Sequence, residues 1–235
     1  MNIALILSGG AGLRLGAEIP KQYIEAGGRP VIGYCIECLA LHRGVDAIQI
    51  VAQPCWREKI RECLETFDRD GKFRGFSDPG ENRQLSILQG LEDIRAYGGE
   101  EDCVLIHDAA RPLLTEEMVS ACLEAAQSHE GVLPVLPMKD TVYASSDGKT
   151  ITSLLKRSEI FAGQAPEVFR LGRYYEANLR LLPDGIRGIN GSTEPAVLAG
   201  MDIAIIPGDE GNFKITTMED LRRFEEILAR RCSGE

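Results

Sequence analysis

The sequence predicts an α/β fold, a mostly parallel sheet with helices on both faces and a protruding β-hairpin arm. Three observations carry that expectation. An apolar run at 3–7 empties into Ser8-Gly9-Gly10-Ala11-Gly12-Leu13-Arg14-Leu15-Gly16, and short apolar runs then alternate with helix-period segments. The alternation breaks after Pro137, at a polar-apolar ribbon with a central Asp-Gly. With 235 residues, 44% of them apolar, the chain can bury one substantial core, so a single domain is expected.

Each element has its own signal. After the strand at 3–7, a helix is expected over 30–42, with Pro30 suited to the first helical position. A buried strand follows at 45–52 and a helix at 54–67; another helix, at 82–96, sets Leu85, Leu88 and Leu91 on one stripe. The apolar strand at 103–106 delivers His107-Asp108. Thr115 is a candidate N-cap, since Glu116 and Glu117 suit a positive helix start, and the next strand is 131–136.

The ribbon comes next, two strands at 139–143 and 150–154 within an arm of about 138–160. A two-stranded ribbon is marginal alone, so it is expected to pack on a second subunit or, alternatively, on its own domain. Further strands are expected at 201–206 and 213–216. Thr217-Met218-Glu219-Asp220 reads as a capping box opening a final amphipathic helix to Arg230. This is a Rossmann-like layering, and such sheets bind ligands beyond the carboxyl ends of their strands.

A net charge of -10 argues against nucleic acid or an anionic membrane as partner. Positive potential for an anionic ligand must then be local. No stretch approaches the roughly 20 apolar residues of a membrane span, and the N-terminus enters a strand directly, so a cytoplasmic location is expected. Seven scattered cysteines fit reduced thiols. Cys35-x-x-Cys38 lacks a second close pair and sits in an apolar helical pattern, which favours core packing over zinc.

The first glycine cluster is the strongest chemical signal. Bare backbone N–H groups after a strand suit a phosphate chain. Leu15 stands where a dinucleotide fingerprint needs its third glycine, and no Gly-Lys-Ser/Thr completes a P-loop. What remains is Gly-Gly-x-Gly-x-Arg with Pro20-Lys21 downstream, two cations bracketing a glycine loop, or else a turn that merely joins strand to helix. Asp108, at the carboxyl end of a central strand, could hold Mg²⁺ beside a triphosphate or simply cap a turn, and Arg111 could brace it. A second glycine loop, Pro79-Gly80-Glu81-Asn82, leads to Arg83 and Ser86 one turn apart at a helix start. Lys214 interrupts an apolar stretch, which costs solvation unless it reaches an anion or an edge.

In order, SGGAGLRLG…PKQY, PGENRQLS, HDAARP, KDT, QAPEVFR and GNFKITTMEDL resemble 2-C-methyl-D-erythritol 4-phosphate cytidylyltransferases and their sister family, the ribitol-5-phosphate cytidylyltransferases. The resemblance spans nearly the whole chain. It implies transfer of a cytidylyl group from CTP to a polyol phosphate with loss of pyrophosphate, a step of isoprenoid precursor synthesis by the non-mevalonate route when the acceptor is methylerythritol 4-phosphate. It also implies roles. Arg14, Lys21 and Lys214 would be catalytic, and Asp108 would hold Mg²⁺. Ser8, Gly9, Gly10, Gly12, Gly80, Ser86 and Ala109 would surround the nucleotide, with Arg83 and Arg111 supporting the loops. Thr141 and Arg157 would bind the polyol phosphate from the neighbouring subunit of a homodimer.

Ser8-Gly9-Gly10 and Gly163-Gln164-Ala165-Pro166 resemble the ribitol type, whereas HDAARP and the spacing from Gly12 to Lys21 follow the erythritol type. The erythritol acceptor is the expectation and the ribitol acceptor the alternative; a nucleotide-binding sensor without turnover is a rival of another class. Ser192-Thr193-Glu194-Pro195 stands where the family usually has Thr-Asp-Glu/Asp-Ala.

Overall fold

A computed structural model describes residues 1–10 and 19–233. Gly12 and Arg14 of the first glycine loop therefore lie outside the described residues. In chain order the strands are β1 (Asn2–Leu7), β2 (Glu25–Ala26), β3 (Arg29–Pro30), β4 (Ala47–Val51), β5 (Phe73–Ser77) and β6 (Cys103–Asp108). They continue as β7 (Gly131–Pro137), β8 (Tyr143–Ala144), β9 (Ser153–Leu154), β10 (Phe161–Gly163), β11 (Glu167–Arg170) and β12 (Ile203–Pro207). The helices are α1 (Val31–Leu41), α2 (Arg57–Phe67), α3 (Arg83–Ile94), α4 (Glu116–Ala125), α5 (Leu171–Leu179), α6 (Glu194–Leu198) and α7 (Met218–Ser233).

Eight strands form one sheet in the order β10-β7-β11-β6-β1-β4-β5, with β12 on the other side of β7. The pairs β1–β4, β1–β6, β4–β5 and β7–β12 are parallel. The pairs of β11 with β6 and β7, and of β10 with β7, are antiparallel. The sheet is thus mixed, and mostly parallel. The antiparallel part follows from the arm: the chain leaves the carboxyl end of β7 and returns without a crossover helix, so it re-enters running the other way.

Alternation along each strand sorts the core into two layers. Ala4, Ile6, Ile48, Ile50 and Leu105 pack under α1, α2 and α4, while Ile3, Leu5, Val51, Val104 and Ile106 pack under α3, α5 and α6. A third cluster seats α7, through Leu221 and Phe224, on Val31 and Ile215. The expected caps form. Thr115 accepts from the Met118 N–H (3.2 Å). Asp220 accepts from Thr217 N–H (2.8 Å), while Thr217 Oγ1 accepts from Asp220 N–H (3.2 Å). Pro30 is the N-cap of α1 rather than its first helical residue.

The expected strand at 213–216 is not one. That segment forms no ladder; it is tied by the Ile215 N–H to the Ala110 carbonyl (2.8 Å). Strand β5, strands β10 and β11, and helix α5 had no sequence expectation. The arm exists as the isolated ribbon β8–β9. Its tip is stiffened by Asp147, which accepts from the Lys149 and Thr150 backbone N–H groups, both at 2.8 Å. Cys35 is buried in the core and donates to the Ile32 carbonyl, and Cys38 packs half-buried against the same cluster.

Candidate active site

Because β1, β4 and β6 run parallel, their carboxyl ends share one edge, and there a cleft of about 640 Å³ opens. Leu7, Gly9 and Gly10 line one wall, Gly80 to Arg83 and Ser86 another, and Lys21, Asp108, Ala110 and Lys214 also face it. The two glycine loops meet: a Cβ on Gly9 would lie 2.5 Å from Pro79 Cβ, so only glycine permits this approach. Gly80 is constrained likewise, since a Cβ there would lie 2.5 Å from Leu85 Cβ and 2.9 Å from the Ser86 nitrogen.

Residues 21–23 explain how the first loop is held. Gln22 Nε2 donates to the Ser8 carbonyl (2.8 Å) and to the Gly10 carbonyl (2.9 Å). Ser8 Oγ donates to Tyr23 Oη (2.7 Å), and Tyr23 Oη donates to the Ser8 carbonyl (3.0 Å). Tyr23 stacks on Trp56, with centroids 4.4 Å apart, and burial pushes its phenol up to about 12. Ser8 is therefore a staple whose hydroxyl points into the protein. Gln22 and Tyr23 are the residues that sequence reasoning missed here, although both lie in the PKQY motif; the signal was their fixed offset from the loop.

The second loop is self-satisfied. Asn82 Oδ1 accepts from Leu85 N–H (2.8 Å) as the N-cap of α3. Ser86 Oγ accepts from Gly80 N–H (3.1 Å) and donates to the Asn82 carbonyl (2.8 Å). Ala109 follows Asp108 with its methyl in the core and its N–H bonded to the Leu7 carbonyl (3.1 Å), while Ala110 lines the cleft wall.

Asp108 ends β6 and is the electrostatic centre. Lys214 Nζ donates to its Oδ2 (2.9 Å), and Arg83 donates to Oδ1 through Nη2 (3.1 Å) and Nε (3.3 Å). Arg111 Nε lies 3.6 Å from Oδ2, and Arg111 Nη1 donates to the Asn212 carbonyl (2.7 Å). Burial works to raise the Asp108 pKa; Arg83, then Lys214 and Arg111, outweigh it and hold the carboxyl well below the usual range. The lysine in an apolar segment thus does reach an anion. Burial lowers the Arg111 pKa and drives neighbouring His107 down to about 4, leaving that imidazole neutral.

Behind Arg83 sits a second buried carboxylate. Arg83 Nη1 donates to Ser192 Oγ (2.6 Å), and Ser192 Oγ donates to Glu167 Oε2. Burial raises the Glu167 pKa, partly offset by Arg83 and Ser192. Thr141 and Arg157 are elsewhere, on the exposed arm, where Arg157 Nη1 donates to the Lys139 carbonyl (2.8 Å). They do not reach this cleft within one chain.

The family model described as 2-C-methyl-D-erythritol 4-phosphate cytidylyltransferase matches residues 2–230. A relative of that same name from Rubrobacter xylanophilus is 36% identical over 238 residues, covering 97% of this chain and 95% of the relative. A ribitol-5-phosphate cytidylyltransferase from Streptococcus agalactiae is 30% identical over 232 residues, covering 97% and 95%. The chain also matches bifunctional IspD/IspF enzymes, such as that of Bradyrhizobium diazoefficiens (34% identical), but spans only 55% of that relative's length. Among solved structures, 4-diphosphocytidyl-2C-methyl-D-erythritol synthase from Anaerococcus prevotii superposes with a TM-score of 0.83 at 25% identity, covering 97% of this chain and 96% of that one.

Proposed function

We propose a function from the premise that the chain belongs to the 2-C-methyl-D-erythritol 4-phosphate cytidylyltransferase family: it transfers CMP from CTP to 2-C-methyl-D-erythritol 4-phosphate and releases pyrophosphate. One observation carries the reading beyond the family. Lys21, Lys214 and Arg83 converge with two glycine-forced loops at the carboxyl edge of the sheet, giving an acidic chain a local positive site.

In this reading an oxygen of the acceptor phosphate attacks the α-phosphorus of CTP, and the bond to the β-phosphate oxygen breaks. No protein nucleophile is needed, because phosphoryl-type transfer is governed by positioning and by preorganised positive charge. Lys21 and Arg14 stabilise charge developing on the α-phosphate. Lys214, aimed by Asp108, supports them. Gly9, Gly10 and Gly80 supply backbone against the nucleotide, with Gly12 continuing the first loop. Ser8 and Ser86 keep those loops in shape, as do Arg83 and Arg111.

For Mg²⁺, the donor set fits a cation that arrives on the triphosphate and borrows one protein carboxylate, that of Asp108. It does not fit a cation held by protein alone, because both Asp108 oxygens already face cationic side chains and no third acidic or imidazole ligand joins them among the described residues. Bound with CTP, the cation would neutralise phosphate charge.

Thr141 and Arg157 act in the partner's cleft of a homodimer. Two observations support this: Tyr143, Ile151 and Leu154 on the arm are 54 to 67% exposed, and Ile205 and Phe161 leave the adjoining face of the sheet uncovered. No helix among the described residues is long and apolar enough to cross a membrane.

The test is purified protein with CTP, Mg²⁺ and a panel of tetritol and pentitol phosphates, following pyrophosphate. Release with methylerythritol 4-phosphate is expected. Preference for ribitol 5-phosphate would favour the second reading, which the S. agalactiae relative keeps in play. No release with any acceptor would leave a nucleotide sensor.

A further inference from the structure

We infer that Glu167 and Ser192 are positioning residues of this reaction, forming a buried brace that fixes Arg83 and through it Asp108 and Lys214. The inference rests on reading the cleft as the transfer site. Neither residue lines the cleft; Ser192 is 1% and Glu167 is 8% exposed.

The register makes the brace. Antiparallel pairing sets Glu167, the first residue of β11, opposite Ile106, two residues before Asp108 at the end of β6. Two carboxylates thus lie at one corner of the sheet. Asp108 has three cationic neighbours, whereas Glu167, among the described residues, accepts only from hydroxyls, those of Ser192 and Thr193 (3.4 Å for the latter). A buried carboxylate without a direct cation is costly unless its charge is shared through its hydrogen bonds. Ser192 provides the sharing. Its hydroxyl donates to Glu167 and accepts from Arg83 Nη1 at 2.6 Å, so the chain runs Lys214, Asp108, Arg83, Ser192, Glu167.

Arg83 is consequently gripped at both ends of its fork. Nη1 is held by Ser192 and Nη2 by Asp108. A guanidinium so held cannot rotate or withdraw, which fixes the face of Asp108 left to Lys214. Ser192 is fixed in turn, because Tyr174 Oη donates to its carbonyl (2.6 Å) and Gln84 Nε2 donates to that same Tyr174 oxygen (3.1 Å). At the first position of the 192–195 segment, where the family usually has threonine, serine keeps the hydroxyl that stands between Arg83 and Glu167.

The experiment compares wild type, Ser192→Ala and Glu167→Gln by two readouts. The first is ¹⁵N NMR of the Arg83 guanidinium in ligand-free protein: resolved Nη signals are expected in wild type and merged ones in Ser192→Ala. The second is steady-state kinetics with CTP and the acceptor. Ser192→Ala should lower kcat about 10- to 100-fold with KM for CTP nearly unchanged, as expected when a catalytic group is misplaced without touching the nucleotide. Glu167→Gln, which keeps an acceptor oxygen but not the charge, should fall between. Melting curves confirm that the variants are folded. Unaltered Arg83 signals in Ser192→Ala, or wild-type kcat in both variants, would overturn the inference. If wild type turns over no acceptor but the Arg83 signals still merge in Ser192→Ala, the brace stands as a feature of the cleft and it is the assigned reaction that fails.

Discussion

Two cavities of similar size lie at opposite ends of the sheet, and they differ in what their charges do. The cleft at the carboxyl ends is about 640 Å³; the cavity at the amino ends of β1 and β6 is about 510 Å³ and is lined by Asn2, His42, Ser120 and Arg170 among others. In the second cavity the side chains of Asn2, His42, Ser120 and Arg170 are already bonded within the protein. Arg170 donates to the Glu101 (2.9 Å) and Ala126 (2.8 Å) carbonyls. His42 Nδ1 accepts from Gly44 N–H (3.0 Å), which makes Nε2 the donor to Ser120 Oγ (2.9 Å). That tautomer cannot take a proton from the serine, so the pair is structural. In the first cleft Arg83, Arg111 and Lys214 converge on one buried carboxylate, Asp108. Volume does not distinguish a site from a gap here; the concentration of charge does.

The comparison can be broken or sharpened at four places. Lys21→Ala should cost the most, lowering kcat about 10²- to 10³-fold, the scale of one preorganised donor to a developing charge. Pyrophosphate release measures it, and a variant with wild-type kcat would remove Lys21 from the chemistry. Asp108→Asn should come next. It leaves Arg83, Arg111 and Lys214 without their shared counter-charge, and losing one partner of a buried ion cluster costs about 3 kcal/mol of stability. Urea denaturation would show this, and an unchanged midpoint would mean the cluster is looser than its distances.

A third test uses pH. The His107 pKa is driven from 6.5 to about 4 by burial, so between those values the unfolded chain binds a proton that the folded chain refuses. Its contribution is complete above pH 6.5 and is lost as pH falls toward 4, at no more than about 1.4 kcal/mol per pH unit. Melting temperature against pH should slope there in wild type and be flatter in His107→Gln; identical slopes would contradict the assignment. The smallest effect belongs to the second cavity. Arg170→Lys should lower stability by about 1 kcal/mol, the scale of one hydrogen bond, and leave turnover untouched. A large loss of turnover would mean that cavity is coupled to catalysis.

Legibility from the sequence followed the same divide. Strand β1, its exit through Gly9 and Gly10, the Thr115 and Thr217 caps and the position of Asp108 could all be read because each is set by neighbours within a few residues. Lys214 could be flagged because a charge in an apolar segment demands a partner, and the partner proved to be Asp108, 106 residues away. What could not be read depends on pairing across the chain. Strand β11 is antiparallel only because of where the arm returns it, and Glu167 matters only through that register. Segment 213–216 has the pattern of a strand, yet its neighbour in space is a loop, and it never acquires a ladder. Gln22 and Tyr23 have polar atoms whose purpose appears only when Ser8 is folded back against them.

The contact between Gly9 and Pro79 carries a consequence for how this chain can vary. Two loops separated by 70 residues along the chain touch so closely that neither surface has room for one more carbon. A replacement that adds bulk at position 9 should survive selection only with a smaller or displaced residue at 79, so these two positions should change as a pair or stay as they are.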